Sequence, residues 1–237
     1  MKTTHRVFAS LLTLLAACLV HAADSRTVAR VIAVQVVETD DPGGYATWAA
    51  ETNEFAKAKF GIDTYCHVFI STFDGAKTNR VLSVLAADSV AALMKNATAV
   101  EDDPALERSR DHLHSRNFKF DARVLYQGLR YDGTYKGAWS FVTLASVSDE
   151  DGYLKALDQL RALYDSHGFQ DAKINAYRVL VGRKDHSHRV TVVLPSAERL
   201  AAYLDFVSVD PQVADWIRSA AKCRTVVSNY TSREITK

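Results

Sequence analysis

The chain repeats itself, and that constrains its fold more than any other feature. Gly44-Tyr45 recurs as Gly152-Tyr153, Phe60-Gly61 as His167-Gly168, Arg80-Val81 through Leu85 as Arg189-Val190 through Leu194, and Asp103-Pro104 as Asp210-Pro211, each at a spacing of 107 to 109 residues. A shared register held by four separate landmarks is the mark of a duplicated unit, not of shared composition. Two halves follow, 28–133 and 138–236, joined through Asp132-Gly133-Thr134-Tyr135-Lys136-Gly137, whose two glycines and polar character suit a linker.

Each half reads as the same string of elements. Val31 to Val37 and Trp139 to Val147 are runs rich in β-branched residues and predict strands. Apolar positions three and four apart then predict helices, with Tyr45, Trp48, Thr52 and Phe55 before Gly61, and Tyr153, Leu157, Leu160 and Tyr164 before Gly168. Hairpins come next, Tyr65 to Phe73 with Arg80 to Ala86 and Ile174 to Val181 with Arg189 to Leu194. Ser196 is placed to cap a helix, Asp210-Pro211 to open a second, and the last strands are Arg123 to Arg130 and Thr225 to Thr231. Strand, helix, strand, strand, helix, strand is the split βαβ, or ferredoxin-like, unit.

One such unit leaves a sheet face bare, and an apolar face must be covered. The second copy supplies the cover. On this repeat and topology the chain resembles the dimeric α/β-barrel superfamily, here with two ferredoxin-like units fused in tandem. The resemblance implies an α+β fold in which the units pack through their sheets as an intramolecular barrel, giving a monomer with an internal pseudo-dimer. The superfamily holds cofactor-independent monooxygenases, haem-degrading enzymes, chlorite dismutase-like haem proteins and muconolactone isomerases, so it points to a fold and not to one activity.

Residues 1–22 stand apart from the repeat. Lys2 and Arg6 precede an apolar run from Val7 to Val20, and Val20-His21-Ala22 suits a cut before Ala23, the pattern of a secretory signal. Such a run is too short to span a bilayer, which takes about 20 residues. A periplasmic or secreted protein without membrane insertion is expected. Leu15-Ala16-Ala17-Cys18 resembles a lipobox and gives the alternative of a lipoprotein anchored through Cys18. Cys66 and Cys223 then remain, and with no spacing motif two separate buried thiols are expected over a bridge.

Basic residues (29) nearly balance acidic ones (28), which gives no field for a polyanion and excludes nucleic acid as an expected partner. No nucleophile elbow, phosphate loop, zinc-protease helix or nucleotide fingerprint occurs, and no cofactor is expected. His112 and His114, two apart on a predicted helix, point away from each other, while His186 and His188 fall in a polar turn where exposure is the default; neither pair predicts a metal site.

The candidate site lies on the strands. Alternation puts Tyr65, His67 and Phe69 on one sheet face, and the repeat sets Asn175 and Tyr177 opposite His67 and Phe69; Gln35 takes the position that Thr143 holds in the second half. Groups of this kind can orient an oxygenated small molecule, although polar groups in sheets more often hydrogen-bond one another. The expected function is binding of a small apolar ligand. The alternative is a cofactor-independent monooxygenase or isomerase for a small aromatic, quinol-like substrate, with His67 as the base because imidazole ordinarily titrates near pH 6.5, and with Gln35, Tyr65, Asn175 and Tyr177 as ligand-binding residues.

Overall fold

The computed structural model describes residues 31–61, 65–73, 80–101, 103–104, 119–182 and 185–236. In β1 (Val31–Glu38), Ile32, Val34 and Val36 alternate with Val31 and Val37, so one strand feeds two apolar layers. Helix α1 (Pro42–Phe60) starts at Asp41, whose side chain accepts from the Gly44 amide at 2.8 Å, and ends at Gly61 in the left-handed region. Then come β2 (Tyr65–Phe73), β3 (Arg80–Ala87), α2 (Val90–Glu101) and β4 (Lys119–Tyr131). The second set is β5 (Trp139–Val147), α3 (Glu150–Ser166), β6 (Lys173–Val181), β7 (His188–Leu194), α4 (Ala197–Val209), α5 (Pro211–Ala220) and β8 (Arg224–Glu234).

The repeated Gly-Tyr landmark has a local cause. Asp149 caps α3 through the Gly152 amide at 3.0 Å as Asp41 caps α1, and at either glycine a Cβ would collide with the capping carboxylate. The following tyrosines, Tyr45 and Tyr153, are both buried under their helices. Ser196 and Asp210 cap α4 and α5 as the sequence predicts, Asp210 accepting from the amides of Gln212 and Val213.

All eight strands close into one antiparallel barrel in the order β1-β3-β2-β8-β5-β7-β6-β4. The first four run β4-β1-β3-β2 and the last four β8-β5-β7-β6, the same order in each set. The sets meet by strand pairing, β2 with β8 and β4 with β6, so no edge of the sheet is left unpaired. The lumen is lined by Ile32, Val34, Leu82, Val124, Tyr126 and Tyr177, one cluster drawn from both sets. Outside, α3 and α4 bury Tyr153, Leu157, Tyr164 and Tyr203 against Ile174, Val190 and Leu194, and α1 buries Tyr45 and Ala49 against Val37, Val68 and Val81.

Two strands run past their expected ends. β4 begins at Lys119 and β8 continues to Glu234, because their polar terminal residues pair across the barrel with β1 and β2. Cys66 and Cys223 are both free thiols in different apolar clusters, and burial pushes the Cys66 thiol up from its ordinary value. Among the described residues no helix is long and apolar enough to cross a membrane.

Gly182 closes β6 with φ at +123°, and a Cβ there would stand 2.6 Å from the Arg123 carbonyl oxygen of the neighbouring strand. The backbone on both sides is held by the barrel, so neither atom can yield cheaply. Gly182→Ala is expected to lower stability by about 1–3 kcal/mol, read as a fall in urea midpoint; an unchanged midpoint would show that the β4–β6 seam tolerates the methyl.

Candidate functional site

On β2, His67 and Phe69 alternate with Cys66 and Val68, which pack under α1, so the imidazole faces the lumen. Glu234, directly across from Phe69 on β8, brings its Oε1 to 2.6 Å from His67 Nδ1. The carboxylate is fixed from behind: its Oε2 accepts from the amides of Gly137 and Ala138 at 3.0 and 3.4 Å. An ionised carboxylate only accepts hydrogen bonds, so Nδ1 carries a proton, and in the neutral imidazole the lone pair is on Nε2. The Glu234 side chain is 3% exposed and that of His67 is 32% exposed, so the imidazole, not the carboxylate, meets an incoming molecule.

Two buried hydroxyls lie further along β2 and on β5. Ser71 pairs with Ser232 and Ser232 with Ser140, a row of three serines one step along β8 from Glu234. All three are buried, yet among the described residues Ser71 Oγ and Ser140 Oγ have no hydrogen-bond partner. Buried hydroxyls are normally satisfied, and this pair lies four residues along β2 from His67, about 13 Å at strand rise, too far to share a small guest with the imidazole.

The other predicted residues divide. Tyr65 lies on the His67 face at the barrel rim, 58% exposed, and near enough to Tyr131 to contribute to raising that phenol's pKa, after burial. Tyr177 is buried in the lumen, where burial first and the Tyr131 phenol second push its own pKa up. Asn175 is committed to the linker: its Oδ1 accepts from the Asp132 and Gly133 amides at 2.9 and 3.3 Å and its Nδ2 donates to the Gly133 carbonyl at 2.9 Å. Gln35 is on the opposite face of the barrel wall from His67, in register with Ser83 and Arg123, because Val34 and Val36 take the inward positions of β1. The structure does not bring it to the imidazole.

Glu234, Ser71 and Ser140 were not singled out from the sequence. The one available signal is a carboxylate and hydroxyls at inward positions of strands whose neighbours are apolar.

No family model matches the sequence, and no curated protein matches it either. Solved structures do match. One, a "putative monooxygenase" from Lactobacillus acidophilus NCFM, superposes with a TM-score of 0.54 over 86% of this chain and 92% of its own at 10% identity. Another, a mutant chlorite dismutase from Candidatus Nitrospira defluvii, gives a TM-score of 0.52 over 88% and 92% at 8% identity. This chain has the dimeric α/β-barrel fold.

The histidine pairs of this dimeric α/β barrel are not the exposed turn residues expected. His186 and His188 are buried, His188 as the first residue of β7 and His186 two residues before it. They also separate: His186 Nε2 lies 2.9 Å from the Tyr126 hydroxyl in the lumen, while His188 Nε2 lies 2.9 Å from Glu150 Oε2 on the helix side. His112 and His114 lie outside the described residues. Among the described residues no three His, Cys, Asp or Glu side chains are grouped to hold a metal ion. Nor do the residues fit a haem between sheet and helices in the second half. Tyr153, Tyr164, Phe169 and Tyr203 fill that layer, with Tyr164 and Tyr203 edge to face at 5.5 Å, and His167 is turned to the Leu163 carbonyl and Asp210.

Proposed function

We propose that the protein acts on a small, mostly apolar, oxygen-bearing molecule at the His67 end of the barrel, with His67 as general base. The observation that carries this is the His67–Glu234 pair: a buried, doubly anchored carboxylate holds one imidazole nitrogen and leaves the other free at an accessible rim. A weakly acidic O–H or C–H on the guest would give its proton to Nε2, and Glu234 would stabilise the imidazolium so formed. The guest anion then either reacts with dioxygen, as a quinol-type monooxygenase requires, or takes a proton back at another atom, as an isomerase requires. Tyr65, two residues from His67 on the same face, is the group able to orient its oxygen atoms, and Tyr177 and Phe69 give it apolar surface. The fold shared with a structure named as a monooxygenase is compatible with the first course.

The same reading takes the two strand sets as tandem ferredoxin-like units, supported by the repeat and by the identical strand order, and the protein as a monomer exported after loss of residues 1–22. One native mass spectrum of protein recovered from the expressing cell tests both export and binding. The expected species starts at Ala23 and carries a small organic adduct; a chain starting at Met1 removes the export, and a lipidated Cys18 replaces it with an anchored form. Dioxygen uptake or isomer formation above the buffer rate with a panel of quinols is the expected activity. A retained adduct that is never turned over would leave a binding protein and remove the base.

A further inference from the structure

Arg189 is the most deeply buried cation among the described residues, and no described carboxylate pairs with it. It lies on β7 between Tyr177 of β6 and Leu144 of β5, and Val190, Val192 and Leu194 pack outward against the helices, so alternation turns Arg189 into the lumen. The residue is 6% exposed. Among the described residues its one hydrogen bond runs from Nη1 to the Tyr230 hydroxyl at 2.7 Å, with the guanidinium carbon 5.8 Å from that ring's centre.

Four more exposed arginines show what is missing. Arg130, Arg161, Arg178 and Arg199, all more exposed, each pair with a carboxylate, whereas no described carboxylate pairs with Arg189. Burial alone would lower its pKa, but the Tyr230, Tyr126 and Tyr177 phenols around it outweigh that and hold it charged. Tyr177 does not neutralise it at pH 7, since burial pushes that hydroxyl further from ionisation. A guanidinium has five N–H donors, and a buried one without an anion is costly.

We propose that Arg189 is an anion site inside the barrel, filled by the carboxylate of a small organic acid whose apolar body lies among Tyr126, Tyr177 and Val179. A carboxylate matches the guanidinium fork with two parallel hydrogen bonds and supplies the missing charge. The aromatic and aliphatic lining favours an aryl or branched acid over a hydrated inorganic ion. This site stands independently of the chemistry assigned to His67.

Calorimetric titration of the full mature chain with acetate, benzoate and 1-naphthoate, against benzyl alcohol as the neutral counterpart of benzoate, tests it. One carboxylate per chain is expected to bind, at least one aryl acid more tightly than acetate, and benzoate roughly 10- to 100-fold more tightly than benzyl alcohol, the factor carried by a charge-assisted hydrogen bond. Arg189→Met is expected to erase the preference for the acid, while His67→Ala keeps it. No heat with any acid, or equal affinity for benzoate and benzyl alcohol, overturns the proposal from the unmodified protein alone. A folded Arg189→Met protein that binds benzoate as well as the parent does so too.

Discussion

Cut at the linker, neither four-stranded half is expected to survive as a folded monomer. Residues 28–133 would expose β2 and β4 as unpaired edges, and residues 138–236 would expose β6 and β8, because those strands pair only across the two seams on that side. Each half would also present its share of the lumen to water: Ile32, Val34, Leu82 and Val124 from one, Tyr177 from the other. An open sheet with an apolar face and two free edges is a template for association. The loss is comparable to the whole stability of a domain, about 5–15 kcal/mol. Light scattering after size exclusion reads the outcome. Separate halves should form dimers or larger species, and the two expressed together should recover a one-to-one complex with the near-ultraviolet circular dichroism of the intact chain. A half that stays monomeric and unfolds cooperatively would show that the barrel is not its folding unit.

What was legible in the sequence was whatever depends on neighbours along the chain. The caps at Ser196 and Asp210, the strand Tyr65–Phe73 and the helix stripes at Tyr45 and Tyr153 all follow from spacing within one element, and the repeat then implied the same order in each half. Partners across a seam left no such trace. Ser232-Arg233-Glu234 has no apolar alternation, so β8 was expected to stop at Thr231, and the carboxylate that completes the His67 site was lost with it. Its pairing with β2 joins residues 69 and 234, a contact that no local period reports. His186 and His188 read as turn residues because the turn is polar; only the closed barrel shows that one side of it is covered. For Asn175, the linker whose amides take up its side-chain oxygen is placed only by the fold. Arg189 carries the same lesson from the other side: it was used as a landmark of the repeat, and its isolation among phenols appears only when β4, β6, β7 and β8 are assembled.

Glu234→Gln is expected to abolish the work of His67 while leaving the barrel folded. The wild-type carboxylate accepts on both sides, from His67 Nδ1 and from the amides of Gly137 and Ala138. A glutamine amide has one accepting and one donating end, so it cannot serve both. If its oxygen stays with the linker amides, its NH2 faces the imidazole, Nδ1 must give up its proton, and Nε2 becomes the protonated nitrogen, unable to act as a base. If the amide flips, its NH2 opposes two backbone N–H groups, at a cost of about 1–3 kcal/mol for the orphaned donors. The first arrangement satisfies more groups. Turnover is therefore expected to fall roughly 10²- to 10⁴-fold in Glu234→Gln, as in His67→Ala, the range supplied by a positioned general base. Glu234 acts through the imidazole and not on the guest, so its effect has a signature independent of any substrate. Long-range nitrogen–proton NMR correlations of the His67 ring should show Nδ1–H with neutral Nε2 in the parent and the opposite tautomer in Glu234→Gln. An identical ring pattern in both proteins would mean that Glu234 does not set the proton on His67, and the base would lose the feature that singles it out.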